Sequence, residues 1–190
     1  MKRRIIIVGI PGVGKTTVIE EFRRLAEDDG LKCRVMNFGS VMLEIAKDII
    51  KDRDEIRKAS MDIQHQLQRK AAETIAQEGS DGIIIVDTHV LIETNSGYLP
   101  GIPYHVLQGL KPDMIALVEA SPEEILFRRS NDKTRRRDSL SAEEVKEHLQ
   151  LSRAMVSTCA TLAGIPFGIL VNKTGCQREA AAQLLEMVKN

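Results

Sequence analysis

The chain has 190 residues, 43% of them apolar and 28% charged, the proportions of one globular domain and not those of collagen-like, disordered or disulfide-scaffold chains. Lys plus Arg number 27 and Asp plus Glu number 27, so no overall field draws the protein to nucleic acid or a membrane, and any anion site has to be local. The three cysteines, Cys33, Cys159 and Cys176, are an odd number with no Cys-x-x-Cys spacing, which argues against a disulfide framework or a structural zinc site and fits a reducing cytoplasm.

In chain order, Lys2-Arg3-Arg4 before Ile5 to Val8 has the outline of a signal peptide, but the apolar run stops at a Gly- and Pro-containing turn. It has no cleavage site and falls far short of a bilayer span. The run reads instead as a buried strand, followed by a helix with Val18, Phe22, Leu25 and Ala26 on one face. Similar runs, each suited to a strand buried on both sides, occur at Val35 to Phe38, Ile83 to Val86, Met114 to Val118 and Ile169 to Val171. Ile56, Ile63, Leu67, Ala71 and Ile75 mark another helical face. Alternating strands and helices predict an α/β fold, a five-stranded parallel sheet with right-handed crossovers and helices on both faces. Ser121-Pro122-Glu123-Glu124 and Ser141 with Glu144 are helix-start signals, the second opening a helix to about Ala163.

Two stretches depart from this pattern: Thr94 to Pro103 reads as an irregular loop, and Arg128 to Asp138 is almost wholly charged. Both follow strands closely, where the ligand crevice of a parallel sheet lies. No repeat or linker divides the chain, so residues 1–190 are expected to form a single domain.

Gly9-Ile10-Pro11-Gly12-Val13-Gly14-Lys15-Thr16 fits G-x-x-x-x-G-K-[ST] directly after the first strand and before the first helix, the context that a phosphate-binding loop requires. Its glycines let backbone N–H groups converge on phosphate oxygens, and the helix N-terminus adds partial positive charge. Lys15 can reach the β and γ phosphates, and the Thr16 hydroxyl can ligate Mg²⁺.

Asp87 ends the strand Ile83 to Val86 and can hold Mg²⁺ directly or through water. A GTPase would place glycine where Val90 stands and a carboxylate where Gly175 follows Asn172-Lys173-Thr174, so a regulatory GTPase is not expected. The basic stretch carries Arg128, Arg129, Lys133, Arg135, Arg136 and Arg137 against Asp132 and Asp138. It suits a lid that offsets charge on a migrating phosphoryl group better than a nucleic-acid patch, since no aromatic interleaves to stack bases. His65, His89, His105 and His148 lack metal-ligand spacing and read as surface or loop residues. A general base is dispensable if the acceptor is a phosphate monoester, already largely dianionic at neutral pH.

On these residues the chain resembles the archaeal type of adenylate kinase, a branch of the P-loop nucleoside monophosphate kinases. The anchors are GIPGVGKTT at Gly9 to Thr17, NFGSVM at Asn37 to Met42, DRDEIRK at Asp52 to Lys58, VDTH at Val86 to His89, SGYLPGIP at Ser96 to Pro103, and RRSNDKTRRRD. The resemblance implies reversible transfer from MgATP to AMP, with a lid at about 128–141 and an AMP-binding helical region at about 37–78. It places Gly9 to Thr17, including Thr17, on the ATP phosphates, Lys15, Arg135, Arg137 and Asp87 in catalysis, and Arg128 and Arg129 close by, one of them able to lie against adenine. Asn172 to Gly175 would form the adenine-contacting turn. The AMP side would comprise Asn37, Gly39, Ser40, Arg57, His89, Gly97, Tyr98 and Arg153. The resemblance also implies a homotrimer. Asp87-Thr88-His89 replaces the Asp-Gly-Phe-Pro-Arg turn of bacterial and eukaryotic relatives, so their acceptor arginine has no counterpart there, and the four-cysteine zinc lid is missing. The rival readings are another P-loop small-molecule kinase, with a different monophosphate acceptor or with a hydroxyl acceptor and Asp87 as base, or a P-loop ATPase or nucleic-acid-remodelling module.

Overall fold

The computed structural model describes residues 2–78, 81–94, 97–131 and 141–190, without the side chains of Arg53, Asp54 and Arg57. Five strands form one parallel sheet: β1 (Arg3–Val8), β2 (Cys33–Asn37), β3 (Ile83–Asp87), β6 (Met114–Glu119) and β7 (Phe167–Val171), in the order β2-β3-β1-β6-β7. The helices are α1 (Lys15–Asp28), α2 (Phe38–Ala46), α3 (Arg53–Lys58), α4 (Met61–Gln77), α5 (Tyr104–Leu110), α6 (Pro122–Asn131), α7 (Ala142–Ala163) and α8 (Gln177–Lys189).

The strand period of two divides the apolar runs between two cores. Ile6, Val8, Ile84, Val86, Ile115 and Leu117 face α2, α4, α5 and part of α7. Ile5, Ile7, Ile83, Ile85, Ala116 and Val118 face α1, α8 and the start of α7. Burying one such isoleucine contributes about 1.5–3 kcal/mol, and the three central strands supply many. The edge strands differ from the expected burial on both sides: Val35 in β2 is 37% exposed and Val171 in β7 51%, because an edge strand is covered less completely by the flanking helices.

Caps set the helix boundaries. Asn37 accepts from the Ser40 amide and starts α2 at Phe38, one residue inside the expected strand. Ser60 caps α4, so Ile56 belongs to the separate α3, and Ile63, in the first turn of α4, is 45% exposed instead of sharing the buried face. Ser141 and Glu144 form a reciprocal capping box, and α7 ends at Ala163 before Gly164 with φ 66°.

The stretch expected to be irregular contains an antiparallel pair, β4 (Leu91–Thr94) and β5 (Gly97–Pro100), in register from Leu91↔Pro100 to Thr94↔Gly97. Proline at the end of a two-stranded ribbon removes no essential ladder bond, so Gly and Pro content alone did not exclude a strand. His148, expected at the surface, is 4% exposed and packs on Tyr98 of β5 with ring centroids 5.1 Å apart. No described helix is long and apolar enough to cross a membrane.

Candidate active site

The loop between β1 and α1 turns on two glycines. Gly12 has φ 95° and Gly14 φ 81°, left-handed values that a side chain disfavours, and a Cβ on Gly14 would collide with the Asn172 amide. The loop carbonyls are held from outside. Arg129 Nε donates to Pro11 O at 2.8 Å, Arg128 Nη1 to Val13 O at 3.0 Å, and Asn172 Nδ2 to Val13 O at 2.7 Å. In a trans peptide the C=O and the following N–H point in opposite directions. Fixing the Pro11 and Val13 carbonyls on these donors therefore turns the Gly12 and Gly14 amides the other way, as an anion cradle requires.

Within the motif, Gly9, Ile10 and Val13 are buried and Thr16 and Thr17 exposed. Thr17 Oγ1 donates back to Gly14 O at 2.7 Å and closes the first turn. Arg128 also donates to Asn172 O at 3.0 Å and to Thr174 Oγ1 at 3.2 Å. Glu124 accepts from the Thr174 amide at 2.6 Å and its hydroxyl at 2.8 Å, and these bonds hold its carboxyl below the usual range. The turn after β7 is thus tied to both α6 and the loop.

Across the sheet's carboxyl edge, Asp87 pairs in register with Asn37 on one side and Ile7 on the other. One carboxylate oxygen of Asp87 takes the Lys15 ammonium, and the other accepts from Asn37 Nδ2 at 2.8 Å. Asn37 Oδ1 in turn accepts from the Ser40 amide at 3.0 Å. Gly39 and Ser40 occupy the first turn of α2. His89, two residues beyond Asp87, is half-buried, and Gly97 and Tyr98 are exposed on β5.

Arg153, exposed on α7, makes a bidentate pair with Glu119 at the end of β6, Nε to Oε1 at 2.7 Å and Nη2 to Oε2 at 2.5 Å. The side chain of Glu119 is only 4% exposed, and this pairing holds the arginine above its ordinary pKa. Arg135 and Arg137, and the side chain of Arg57, lie outside the described residues.

Motif reading missed Glu119, Glu124 and the use of Asn172 on the loop. Glu119 carried a signal: like Asp87 it is a carboxylate ending an apolar strand at the sheet's ligand edge. A hard cation such as Mg²⁺ commonly uses one or two protein oxygens together with phosphates and water. The exposed Thr16 hydroxyl and the Asp87 carboxylate suit that role. Among the described residues no group of three or more His, Cys, Asp or Glu is placed to hold a metal ion.

Comparison with known proteins gives full-length matches. The adenylate kinase of Methanocaldococcus jannaschii is 41% identical over 192 residues, covering 100% of both chains. That of Methanothermobacter thermautotrophicus is 42% identical over 97% of this chain and 98% of its own. The chain belongs to the archaeal adenylate kinase family. Membership makes it a phosphotransferase. A family model described as an AAA domain matches residues 8–146, which include the nucleotide loop. A shikimate kinase from Acinetobacter baumannii, solved with shikimate, superposes with TM-score 0.63 at 15% identity, covering 99% of this chain and 93% of its own. A second, from Bacteroides thetaiotaomicron, gives 0.59 at 14%, covering 99% of both. At such identities these two share the fold alone with this adenylate kinase family member.

Proposed function

We propose that the chain transfers the γ-phosphoryl group of ATP reversibly to AMP, giving two ADP. The observation that carries the reading is the placement of Lys15 and Asn37 on the two oxygens of Asp87, which sets a P-loop cation and the start of α2 against one carboxylate. The full-length likeness to adenylate kinases supplies the acceptor.

In the proposed reaction an AMP phosphate oxygen forms a bond to the γ phosphorus as the bond to the β–γ bridging oxygen breaks. The departing ADP takes the electron pair, and the acceptor dianion has no proton to lose. The backbone N–H groups within Gly9 to Thr17, where Pro11 has none, and Lys15 hold the donor phosphates, while Arg128, Arg129 and Asn172 keep the loop shaped. Bound Mg²⁺, at Thr16 Oγ1 and, through water, Asp87, would neutralise charge on the donor phosphates. Arg135 and Arg137, on a lid at about 128–141, are proposed to offset charge on the migrating group and exclude water. The AMP side is proposed to comprise Asn37, Gly39, Ser40, Arg57, His89, Gly97, Tyr98 and Arg153, drawn in part from a helical region at about 37–78, with Glu119 orienting Arg153. A cytoplasmic site fits the free thiols of Cys33, Cys159 and Cys176, and a homotrimer follows from the family resemblance.

The test is an assay of diphosphate formation from ATP with AMP, CMP, UMP or water as acceptor. AMP should turn over fastest by a wide margin, and equal turnover with the other acceptors would overturn the reading.

A further inference from the structure

The register of the parallel sheet places Asn37 beside Asp87, so the ends of β2 and β3, with the first turns of α1 and α2, carry one continuous polar chain. It runs from the Lys15 ammonium to one oxygen of Asp87, from the other oxygen to Asn37 Nδ2 at 2.8 Å, and from Asn37 Oδ1 to the Ser40 amide at 3.0 Å and hydroxyl at 3.3 Å. Asn37 therefore has two separate jobs. Its oxygen caps α2, and its amide nitrogen answers to Asp87.

From this geometry we infer that Asn37 is a positioning residue coupling occupancy of the ATP loop to the AMP side, an inference that rests on the function proposed above. In the structure the Asp87 carboxylate is shared between an ammonium and an amide. Phosphate oxygens entering the loop compete for the Lys15 ammonium. The oxygen so released would accept from the Mg²⁺-bound water proposed above, which fixes the carboxylate more tightly than a mobile ammonium and, because bonds along a chain polarise one another in a partly buried site, strengthens the bond that its other oxygen accepts from Asn37. The Asn37 side chain is then held more firmly, and with it the first turn of α2. Binding of donor thus lowers the ordering cost that acceptor must meet, and by reciprocity acceptor favours donor by the same factor.

Asn37→Ser separates the two jobs. Serine caps a helix about as well as asparagine, but its short hydroxyl cannot bridge to Asp87 while capping. Asn37→Asp also preserves the cap and sets carboxylate against carboxylate. The measurement is calorimetric titration of the full chain with AMP, with and without a non-hydrolysable ATP analogue and Mg²⁺, and the reverse titration. In the unaltered protein each nucleotide should tighten the other by about fivefold or more. In Asn37→Ser that factor should fall toward one in both directions, with the melting midpoint retained; if the serine variant melts early, Asn37→Asp decides by the same readout. A variant that keeps the full factor, or an unaltered protein in which neither nucleotide affects the other, overturns the coupling role and leaves the proposed function standing. An unaltered protein that does not bind AMP overturns both.

Discussion

Asn172 donates its side-chain amide to Val13 O at 2.7 Å across 159 positions of sequence, with a longer contact to Gly14 O at 3.5 Å. The residue is 1% exposed and binds the turn after β7 to the loop after β1, so the shape of the phosphate cradle depends on the far end of the chain. Asn172→Ala should leave the Val13 carbonyl with Arg128 as its remaining named donor and open a gap behind Gly14. A loss of about 1–3 kcal/mol in stability is expected, together with weaker binding of an ATP analogue. Denaturant unfolding and analogue titration check both, and a variant with unaltered affinity would show that the loop holds its shape without this contact.

Lys15→Ala is expected to lower kcat by at least about 10²-fold, the scale for removing one preorganised group that stabilises transition-state charge. Circular dichroism should remain that of the native protein. A variant with full activity would remove Lys15 from the chemistry, and an unfolded one would show that its ion pair with Asp87 serves the fold first.

Arg135→Ala and Arg137→Ala, tested singly, should lower kcat more than they raise KM for either nucleotide, because the proposed contacts form as the phosphoryl group moves. A fall on the order of 10²-fold in kcat is expected for the more closely engaged arginine. Steady-state kinetics with both substrates varied distinguishes this from a change confined to KM, which would indicate binding alone.

Stability should decline on acidification in two stages. Burial holds the His148 imidazole below its ordinary value of 6.5, with Arg129 adding to this and Glu93 opposing it. Burial, His65 and Arg69 do the same to His105. The unfolded chain therefore takes up protons at these sites below pH 6.5 that the folded chain refuses, and stability falls as pH drops from 6.5 through the lowered native values. Below pH 4.5 a second loss begins. The depressed carboxyls of Glu124, bonded by Thr174, and Glu144, bonded by Ser141, are then protonated first in the unfolded state. Urea unfolding at several pH values measures both stages. His148→Gln should reduce the first, leaving the part due to His105, and an unchanged slope would remove His148 from that stage.

The nucleotide loop, the strands with their alternating faces and the capping box at Ser141 were legible in the residues, because each is set by rules acting over a few positions: glycine at positive φ, a period of two, a side chain reaching three residues ahead. The antiparallel pairing of β4 and β5 escaped because Gly and Pro content is ambiguous where only two strands pair, and His148 because one histidine in a helix carries no mark of what will cover it. The tertiary structure alone decided that β3 lies between β2 and β1. That order puts Asp87 between Lys15 and Asn37, while β6 and β7 on the other side of β1 and the packing of α7 bring Asn172 to Val13 and Arg153 to Glu119. These contacts join residues dozens of positions apart, and which strand ends become neighbours is settled by how two apolar cores close around the sheet, a property of the whole chain that no local pattern contains.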